Sequence, residues 1–523
     1  MPRVLVTEEI AESGLERLRR AGHEVEVALN PSAEELPRLV RRANALIIRS
    51  ATKVTKELLD EAAELVVVGR AGIGLDNVDV EAATQRGVIV ANAPQSNVLS
   101  AAEHTMALLL AQARNIPQAH AALVAGRWER SRWEGVELAD KTLGVIGLGR
   151  IGRLVAQRAA AFGMRIVAHD PFVSPERARQ LGVELLPLDR LMRQADFVTV
   201  HVAKTAETTG MIDKAVLAAA KPGLRIVNCA RGGIVDEAAL ADALASGVVA
   251  GAALDVFDAE PTTDSPLFAF PNVVVTPHLG ASTREAQDKA GETIADQVAL
   301  ALANEFVPFA VNVAAGEISE TVRPFLPLAE RLGSLYTGLA QGVPSLLEVS
   351  YQGQLADYDT RVLTLAVLKG VFGGVTDAPV SYVNAPILAA ERGVEVRETS
   401  TSTAHDYVNL VTVRGGGHSL AGTLSGPRGE ARLVMVDENS IDVPPSRWML
   451  VIRNEDKPGM IGMVGQILGD ADVNIDDMVL GRDPTGAPST MVIATSTPTP
   501  EDVLSELRAS GGIVSVHALT YRE

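Results

Sequence analysis

The chain has 523 residues, of which 47% are apolar, 21% charged and 4% aromatic, with a net charge of −18 and a pI near 5.1. At about 150 residues per domain, that length implies three or four domains with ample core material, and the acidic balance, with no Lys/Arg block, excludes a duplex-binding role, which needs a basic surface to displace phosphate counterions. Cys229 is the only cysteine, so no intrachain disulfide and no Cys-based zinc cluster is available, no metal is expected, and no run of about 18 apolar residues offers a membrane span.

The first residues, Met1-Pro2-Arg3-Val4-Leu5-Val6-Thr7, read directly as a strand. They lack the long apolar core of a signal peptide, so a cytoplasmic protein is expected. Val4–Val6, Val25–Ala28, Ala45–Ile48, Leu65–Val68 and Val88–Val90 are short apolar runs of the kind buried in a sheet. Segments with helical spacing, such as Gly14–Ala21 and Lys56–Ala63, alternate with them, which predicts a parallel sheet.

Ser100-Ala101-Ala102-Glu103 has the form of a capping box and predicts a long helix from about Ala101. A second α/β series then runs through Leu143–Ile146, Arg165–Ala168, Phe197–Val200, Arg225–Val227, Gly251–Leu254 and Val273–Val275. Another capping box, Ser282-Thr283-Arg284-Glu285, opens a helix expected to reach Asn304. Two α/β modules joined by two helices predict one domain inserted into the other, with a cleft between them.

Residues 311–445 are less legible, with Gly415-Gly416-Gly417 as a turn, Leu433-Val434-Met435-Val436 as a β-like run and Asp437–Pro445 as a polar linker. From Ser446 onward the pattern is clear again. Trp448–Ile452 is a strand, Pro458-Gly459 opens a helix to about Gly469, and Val473–Leu480 is a strand. Asp483-Pro484-Thr485-Gly486 is a turn, Met491–Ala494 a strand, Pro500–Ala509 a helix and Ile513–Leu519 a strand. This is βαββαβ, the ferredoxin-like order.

The run Leu143–Ile146 leads into Gly147-Leu148-Gly149-Arg150-Ile151-Gly152 and then a helical stretch. In that context Gly147 permits a tight turn, Gly149 lets a pyrophosphate approach the backbone, and Gly152 lets the helix pack on the sheet. The glycines alone are a weak signal. Asp170, at the end of the next strand, stands close to the offset of about 20 residues expected of an acid that binds ribose hydroxyls and repels a 2′-phosphate. No arginine adjoins it, so the expected cofactor is NAD and not NADP.

Arg231, Glu260 and His278 follow successive strands of the second module, at the strand ends where open α/β sheets place ligands. Oxidising a secondary alcohol needs a base titrating near the working pH, a carboxylate that orients the ring and stabilises its charged form, and a fork to grip a substrate carboxylate. Each residue alone is an ordinary loop residue; the ordered set downstream of a nucleotide site is the signal.

Asn228-Cys229-Ala230-Arg231-Gly232-Gly233, Ala253-Leu254-Asp255-Val256-Phe257 with Glu260-Pro261, and Pro277-His278-Leu279-Gly280-Ala281-Ser282-Thr283 resemble the D-2-hydroxyacid dehydrogenase signatures. The resemblance implies that Arg231 binds substrate, Glu260 supports His278 as acid/base, and Arg150, Ile151, Asp170, Val202, Cys229, Ala230, Asp255, Gly280 and Ala281 line the NAD site. His201-Val202-Ala203-Lys204-Thr205 lacks a proline that many members carry, which predicts a changed loop near the nicotinamide ribose. His104 reads as a satisfied helix histidine.

Arg49-Ser50-Ala51-Thr52-Lys53-Val54-Thr55 and Gly69-Arg70-Ala71-Gly72-Ile73-Gly74-Leu75-Asp76-Asn77-Val78-Asp79 resemble the substrate loops of members that act on 3-phospho-D-glycerate. The resemblance implies backbone N–H groups of Gly72, Ile73 and Gly74 for the carboxylate, and Arg49, Arg70 and Lys53 as candidates for the phosphate, with Ser50 beside them. The implied reaction is NAD-dependent oxidation to 3-phosphohydroxypyruvate at the start of L-serine biosynthesis. Reduction of glyoxylate or 2-oxoglutarate by a related enzyme, or a catalytically silent dinucleotide-sensing regulator, stands as the alternative.

The last segment resembles an ACT-type amino-acid-binding domain, which implies L-serine as effector at Asn454, Asp456 and Asn474, a purely structural dimerisation domain being the other reading. Asn454 replaces the His or aromatic residue often found there. A ferredoxin-like unit exposes one sheet edge and one sheet face, through which two copies can pair, so a homo-oligomer, dimer or tetramer, is expected. The expected fold is thus two Rossmann-like doubly wound parallel-sheet domains, an α+β intervening domain and a ferredoxin-like ACT-type domain. The expected division is 1–97 with 281–310 for substrate, 98–280 for NAD, 311–445 intervening and 446–523 regulatory.

Overall fold

Val4, Leu5 and Ala45–Ile48 are completely inaccessible to solvent, as strands covered on both faces must be. The computed structural model describes residues 1–313, 318–376, 380–403, 406–481 and 488–521, and the turn expected at Asp483-Pro484-Thr485-Gly486 lies outside them. The chain divides into two compact units, Met1–Glu9 with Gly14–Asn92 and Ile294–Glu523, and Ile10–Ser13 with Ala93–Thr293.

The first unit opens on a five-stranded parallel sheet in the order Glu24–Val27, Arg3–Val6, Ala45–Ile48, Val67–Arg70, Ile89–Ala91. Its order reverses between Arg3–Val6 and Ala45–Ile48. The same unit holds a six-stranded mixed sheet, Glu395–Thr401, Leu346–Gly353, Asn409–Gly415, His418–Ser425, Glu430–Val436, Asn439–Val443, packed under helices Leu326–Ala340 and Arg361–Gly373. The expected glycine turn is a hairpin in which Gly415 pairs with His418 across Gly416 and Gly417, both at positive φ.

One expectation fails here. Asp437–Pro445 is not a linker: Asp437 and Glu438, both at positive φ, make a tight turn into the strand Asn439–Val443. Asn439, Ile441 and Val443 are buried and Ser440 and Asp442 exposed, a period of two that polar residues at the exposed and turn positions concealed.

The last strands form an antiparallel sheet in the order Ile475–Gly481, Ser489–Thr495, Trp448–Asn454, Ile513–Thr520, with helices Met460–Asp470 and Glu501–Ala509 on one face. The ferredoxin-like order is as expected, but the face opposite the helices is not bare. Met449, Val451, Val492 and Leu519 on it are buried. Gly338 of the helix Leu326–Ala340 lies against Ala518 and Leu519, Ser334 Oγ donates to the Thr520 carbonyl at 3.3 Å, and Gly481 abuts Ser440. Met449 to Ile452 are all buried, so both faces of that strand are covered and the face expected to be exposed is not; its cover comes from the same chain.

The second unit carries a seven-stranded parallel sheet in the order Val273–Val275, Val249–Leu254, Leu224–Asn228, Phe197–Val200, Thr142–Ile146, Arg165–His169, Glu184–Leu185. This is doubly wound, with its reversal between Thr142–Ile146 and Phe197–Val200. Helix Val98–Ala113 begins before the expected capping box, at Asn97, and Ser100 Oγ instead meets Thr283 Oγ1 at 2.7 Å. Thr283, not Ser282, caps the helix Arg284–Leu302, accepting the Ala286 N–H at 3.2 Å.

Candidate active site

Ile146 ends a strand buried from Leu143 onward, at the reversal of the seven-stranded sheet, and the glycine turn follows at once. Gly147 has φ +91°, and a Cβ there would stand 2.6 Å from the His201 carbonyl oxygen. A Cβ on Gly152 would stand 2.0 Å from the Gly147 oxygen, whereas one on Gly149 would meet nothing within 4 Å. The three glycines therefore divide as turn, open approach and helix packing, with Gly149 as N-cap of the helix Arg150–Ala161.

Asp170 is tied to this turn. Its Oδ2 accepts the Leu148 N–H at 2.8 Å and its Oδ1 the Phe172 N–H at 2.9 Å, so the carboxylate is held in place beside the turn. The open Gly149 backbone, a helix N-terminus and a fixed carboxylate beside them fit a dinucleotide. Arg150 Nη1 donates to the Pro94 carbonyl, and Ile151 packs on the core below. Val202 packs on the other side of the sheet, following His201, whose imidazole is desolvated down to about 3 and bonded to Thr199 Oγ1 at 2.9 Å. Desolvation pushes the Cys229 thiol up to about 12, so it is a neutral wall and not a nucleophile.

The chemical groups lie at the other strand ends of this sheet. Nδ1 of His278 stands 2.6 Å from Glu260 Oε2, and the other oxygen of Glu260 accepts the Phe257 N–H at 2.9 Å. Burial pushes the Glu260 carboxyl up, but His278, the Phe257 N–H and the nearby Arg231 outweigh it and hold the group below the usual carboxylate range. Arg231 Nη1 donates to the Ala230 carbonyl, and Asn228 braces the same turn through the Arg231 oxygen and the Ala230 N–H.

His278 has φ +55°, unusual for a residue with a Cβ, and Asp255 explains how the turn is held. The Asp255 carbonyl accepts the His278 N–H at 2.9 Å. Its carboxylate, 1% exposed, takes the N–H groups of Leu279 at 2.7 Å and Gly280 at 2.8 Å and the Thr276 hydroxyl at 2.5 Å, with His104 Nε2 at 3.2 Å. Asp255 thus lies beneath the Thr276–Gly280 loop and shapes it, and Ala281 follows where that loop ends. His104 is a satisfied helix histidine, and its partner is this carboxylate.

In the first unit, Ile48 pairs with Arg70, so Arg49 and Arg70 stand at the carboxyl ends of neighbouring strands. Arg49 is half-buried, its Nη1 reaching the Glu9 carbonyl at 3.5 Å, while Ser50 and Lys53 are exposed. The Arg70 guanidinium lies over Gly72, where a Cβ would have to displace the end of that side chain, and Ile73 and Gly74 are half-buried beside it. Two residues to which the sequence assigned no role brace these loops: Asn77, within the second motif, donates to the carbonyls of Arg49 at 2.9 Å and Thr52 at 2.6 Å, and Glu8 accepts N–H groups from Arg49 to Thr52. The only local hint for Glu8 was its place two residues past the strand Arg3–Val6.

The effector candidates are not brought together within one chain. Asn454, 2% exposed, pairs with Ser489 at one end of the last sheet, and its Nδ2 donates to the Glu455 carbonyl, with exposed Asp456 beside it. Asn474 bonds Asp476 and Ser496 at the other end, a strand length or roughly 20 Å away. Among the described residues no helix is long and apolar enough to cross a membrane, and no group of His, Cys, Asp and Glu is arranged to hold a metal.

Residues 106–280 match the NAD-binding domain of D-isomer specific 2-hydroxyacid dehydrogenases, 321–437 the D-3-phosphoglycerate dehydrogenase intervening domain, and 448–512 the ACT domain. The chain is 50% identical over 517 residues to a D-3-phosphoglycerate dehydrogenase of Mycobacterium leprae, covering 98% of this chain and 97% of that one. A protein of the same name from Synechocystis is 42% identical over 98% of this chain and 94% of its own. Among solved structures, a glyoxylate reductase from Paecilomyes thermophila is 28% identical with a TM-score of 0.55, covering 59% of this chain and 98% of that one. An NAD-dependent formate dehydrogenase from Staphylococcus aureus in complex with NAD is 32% identical with a TM-score of 0.53, over 58% and 97%.

Proposed function

The chain belongs to the D-3-phosphoglycerate dehydrogenase family of NAD-dependent D-2-hydroxyacid dehydrogenases, and on that premise we propose that it oxidises 3-phospho-D-glycerate to 3-phosphohydroxypyruvate, the first step of L-serine biosynthesis. The observation that carries the reading is the Glu260–His278 pair at 2.6 Å, on a turn that Asp255 holds.

Gly147, Gly149, Gly152, Arg150 and Asp170 hold NAD, which when bound supplies the hydride acceptor. Glu260 engages Nδ1 of His278, so Nε2 is the atom that takes the hydroxyl proton. The charge that develops on the ring is stabilised by Glu260, which is already ionised. Arg231 grips the substrate carboxylate in its fork and polarises the forming carbonyl. Arg49 and Arg70 bind the phosphate, and the N–H groups of Gly72, Ile73 and Gly74 bind the carboxylate. Residues 1–97 with 281–310 serve the substrate, 98–280 serve NAD, 311–445 intervene and 446–523 regulate.

The ACT domain takes L-serine through Asn454, Asp456 and Asn474. Because one chain separates these residues by the length of the sheet, a site using all three draws on two copies, and the protein is a homo-oligomer. The test of the main reading is a comparison of initial rates with NAD and either 3-phospho-D-glycerate or D-2-hydroxyglutarate. A clear preference for the phosphorylated acid is expected; equal or reversed preference would overturn the substrate assignment.

A further inference from the structure

The five-stranded sheet reverses its order between Arg3–Val6 and Ala45–Ile48. Open α/β sheets present a crevice at such a point, and the loops that leave the two strands line it. Here those loops are Thr7–Glu9 and Arg49–Thr52. Four successive backbone N–H groups, of Arg49, Ser50, Ala51 and Thr52, converge in a concave anion nest of the kind that commonly holds phosphate.

The nest is already filled from within the chain. Glu8 Oε1 accepts from Arg49 at 2.8 Å and Thr52 at 2.9 Å, and Oε2 accepts from Ala51 at 3.0 Å and Ser50 at 3.1 Å. Glu8 is 8% exposed. Burial pushes its carboxyl up, yet the N–H groups of Thr52, Ala51 and Arg49 outweigh that and leave it below the usual carboxylate range. The carbonyl side of the same loop is clamped by Asn77, and Thr52 Oγ1 meets Thr7 Oγ1 at 2.8 Å. Each end of the loop is therefore tied on both its donor and its acceptor side.

We propose that Glu8 is a positioning residue for the substrate phosphate: a built-in anion that occupies the switch-point nest and presets the loop carrying Arg49. The inference rests on the reading of Arg49 as a phosphate ligand. It has a definite chemical consequence. The backbone amides of Arg49–Thr52 are not available to substrate, so phosphate recognition at this loop falls to side chains, Arg49 first and Ser50 beside it. Glutamine cannot replace Glu8 silently. One acceptor oxygen is left for four donors, and the amide NH2 points its own hydrogens at the N–H groups that lost their partner.

The test uses the full chain, with steady-state rates on 3-phospho-D-glycerate and a separate titration of NADH by fluorescence. For Glu8→Gln and Glu8→Ala, KM for 3-phospho-D-glycerate should rise roughly tenfold or more, the size of losing one charge-assisted contact. Turnover at saturation and NADH affinity should stay within about threefold, because the nucleotide groups lie on other strands. Glu8→Ala also leaves a carboxylate-sized vacancy lined by four donors. Sodium formate should then lower KM again, and sodium chloride at matched ionic strength should not. Glu8→Asp, if Glu8→Ala fails to fold, keeps the charge but shortens the reach, and should give an intermediate KM. An unchanged KM in Glu8→Gln would overturn the inference. So would parallel losses of KM, turnover and NADH affinity that formate does not relieve. Failure of the unaltered enzyme to turn over 3-phospho-D-glycerate would be a different result, removing the substrate reading and the role of Glu8 with it.

Discussion

Asp255 fixes His278 twice over: its carbonyl takes the His278 N–H at 2.9 Å, and its carboxylate takes the next two N–H groups of the chain, at 2.7 and 2.8 Å. The imidazole is thereby aimed from behind, while Glu260 holds its Nδ1 from the side at 2.6 Å. Backbone and ring are thus each held by a carboxylate, which favours proton transfer in a defined direction.

His278→Ala should lower turnover by roughly 10²–10⁴, the span of general acid–base catalysis, with NADH binding retained. Glu260→Gln should cost less, because the ring keeps its place but its charged form loses the carboxylate that stabilises it. Steady-state rates beside an NADH titration check both, and an unaltered rate for His278→Ala would remove the mechanism.

Asp255 gives a prediction about stability. Burial pushes its carboxyl up, but bonds from His104, Thr276 and Leu279 prevail and leave it depressed in the fold. A depressed carboxylate stabilises the fold above its unfolded value, near pH ~4, and the contribution disappears as pH falls through the folded value. Asp255→Asn should therefore lower stability at neutral pH by on the order of 3 kcal/mol and flatten the acid dependence of melting below pH ~4. Equal melting of mutant and parent at pH 7 would contradict it.

Asp170, held by the Leu148 and Phe172 N–H groups, should make the enzyme prefer NAD over NADP by roughly tenfold or more, about 1.4 kcal/mol. Asp170→Ala should erode the preference, chiefly by admitting NADP. Equal efficiency with both cofactors in the parent would end the claim.

Arg49→Ala and Arg70→Ala should each raise KM for 3-phospho-D-glycerate by roughly 10- to 100-fold, the value of a charge-assisted bond. Both should also weaken the salt dependence of KM, since less charge is left to screen. Use of unphosphorylated D-glycerate as readily as 3-phospho-D-glycerate by the parent would refute the assignment.

L-Serine should bind the full chain at millimolar concentration or below, measured by calorimetry, and inhibit it. The full chain is the right sample because the helix Leu326–Ala340 covers one face of the last sheet. Asp456→Ala and Asn474→Ala should each weaken binding. Heat of binding that survives both would move the site elsewhere, and none at all would leave the domain structural.

Local pattern by itself determined most of the strands and the order of the chemistry. Ala45–Ile48, Phe197–Val200 and Val273–Val275 begin and end where their apolar runs do. The glycine turn, Asp170 and the succession Arg231, Glu260, His278 were legible because each occupies a fixed offset from a strand, and a strand writes its period of two or its apolar run into neighbouring residues. What only the tertiary structure decided is which polar groups hold the loops. Glu8 reaches the N–H groups of residues 41 to 44 positions away, and Asp255 reaches back to His104 across 151. Such bonds depend on the register of strands distant in sequence, which no local period encodes. The strand Asn439–Val443 was hidden for a related reason: its buried face is recognisable only once Glu430–Val436 lies beside it. The cover over the last sheet likewise needed the helix Leu326–Ala340 to be in place, because a face that is apolar in sequence states that it must be buried and not by what.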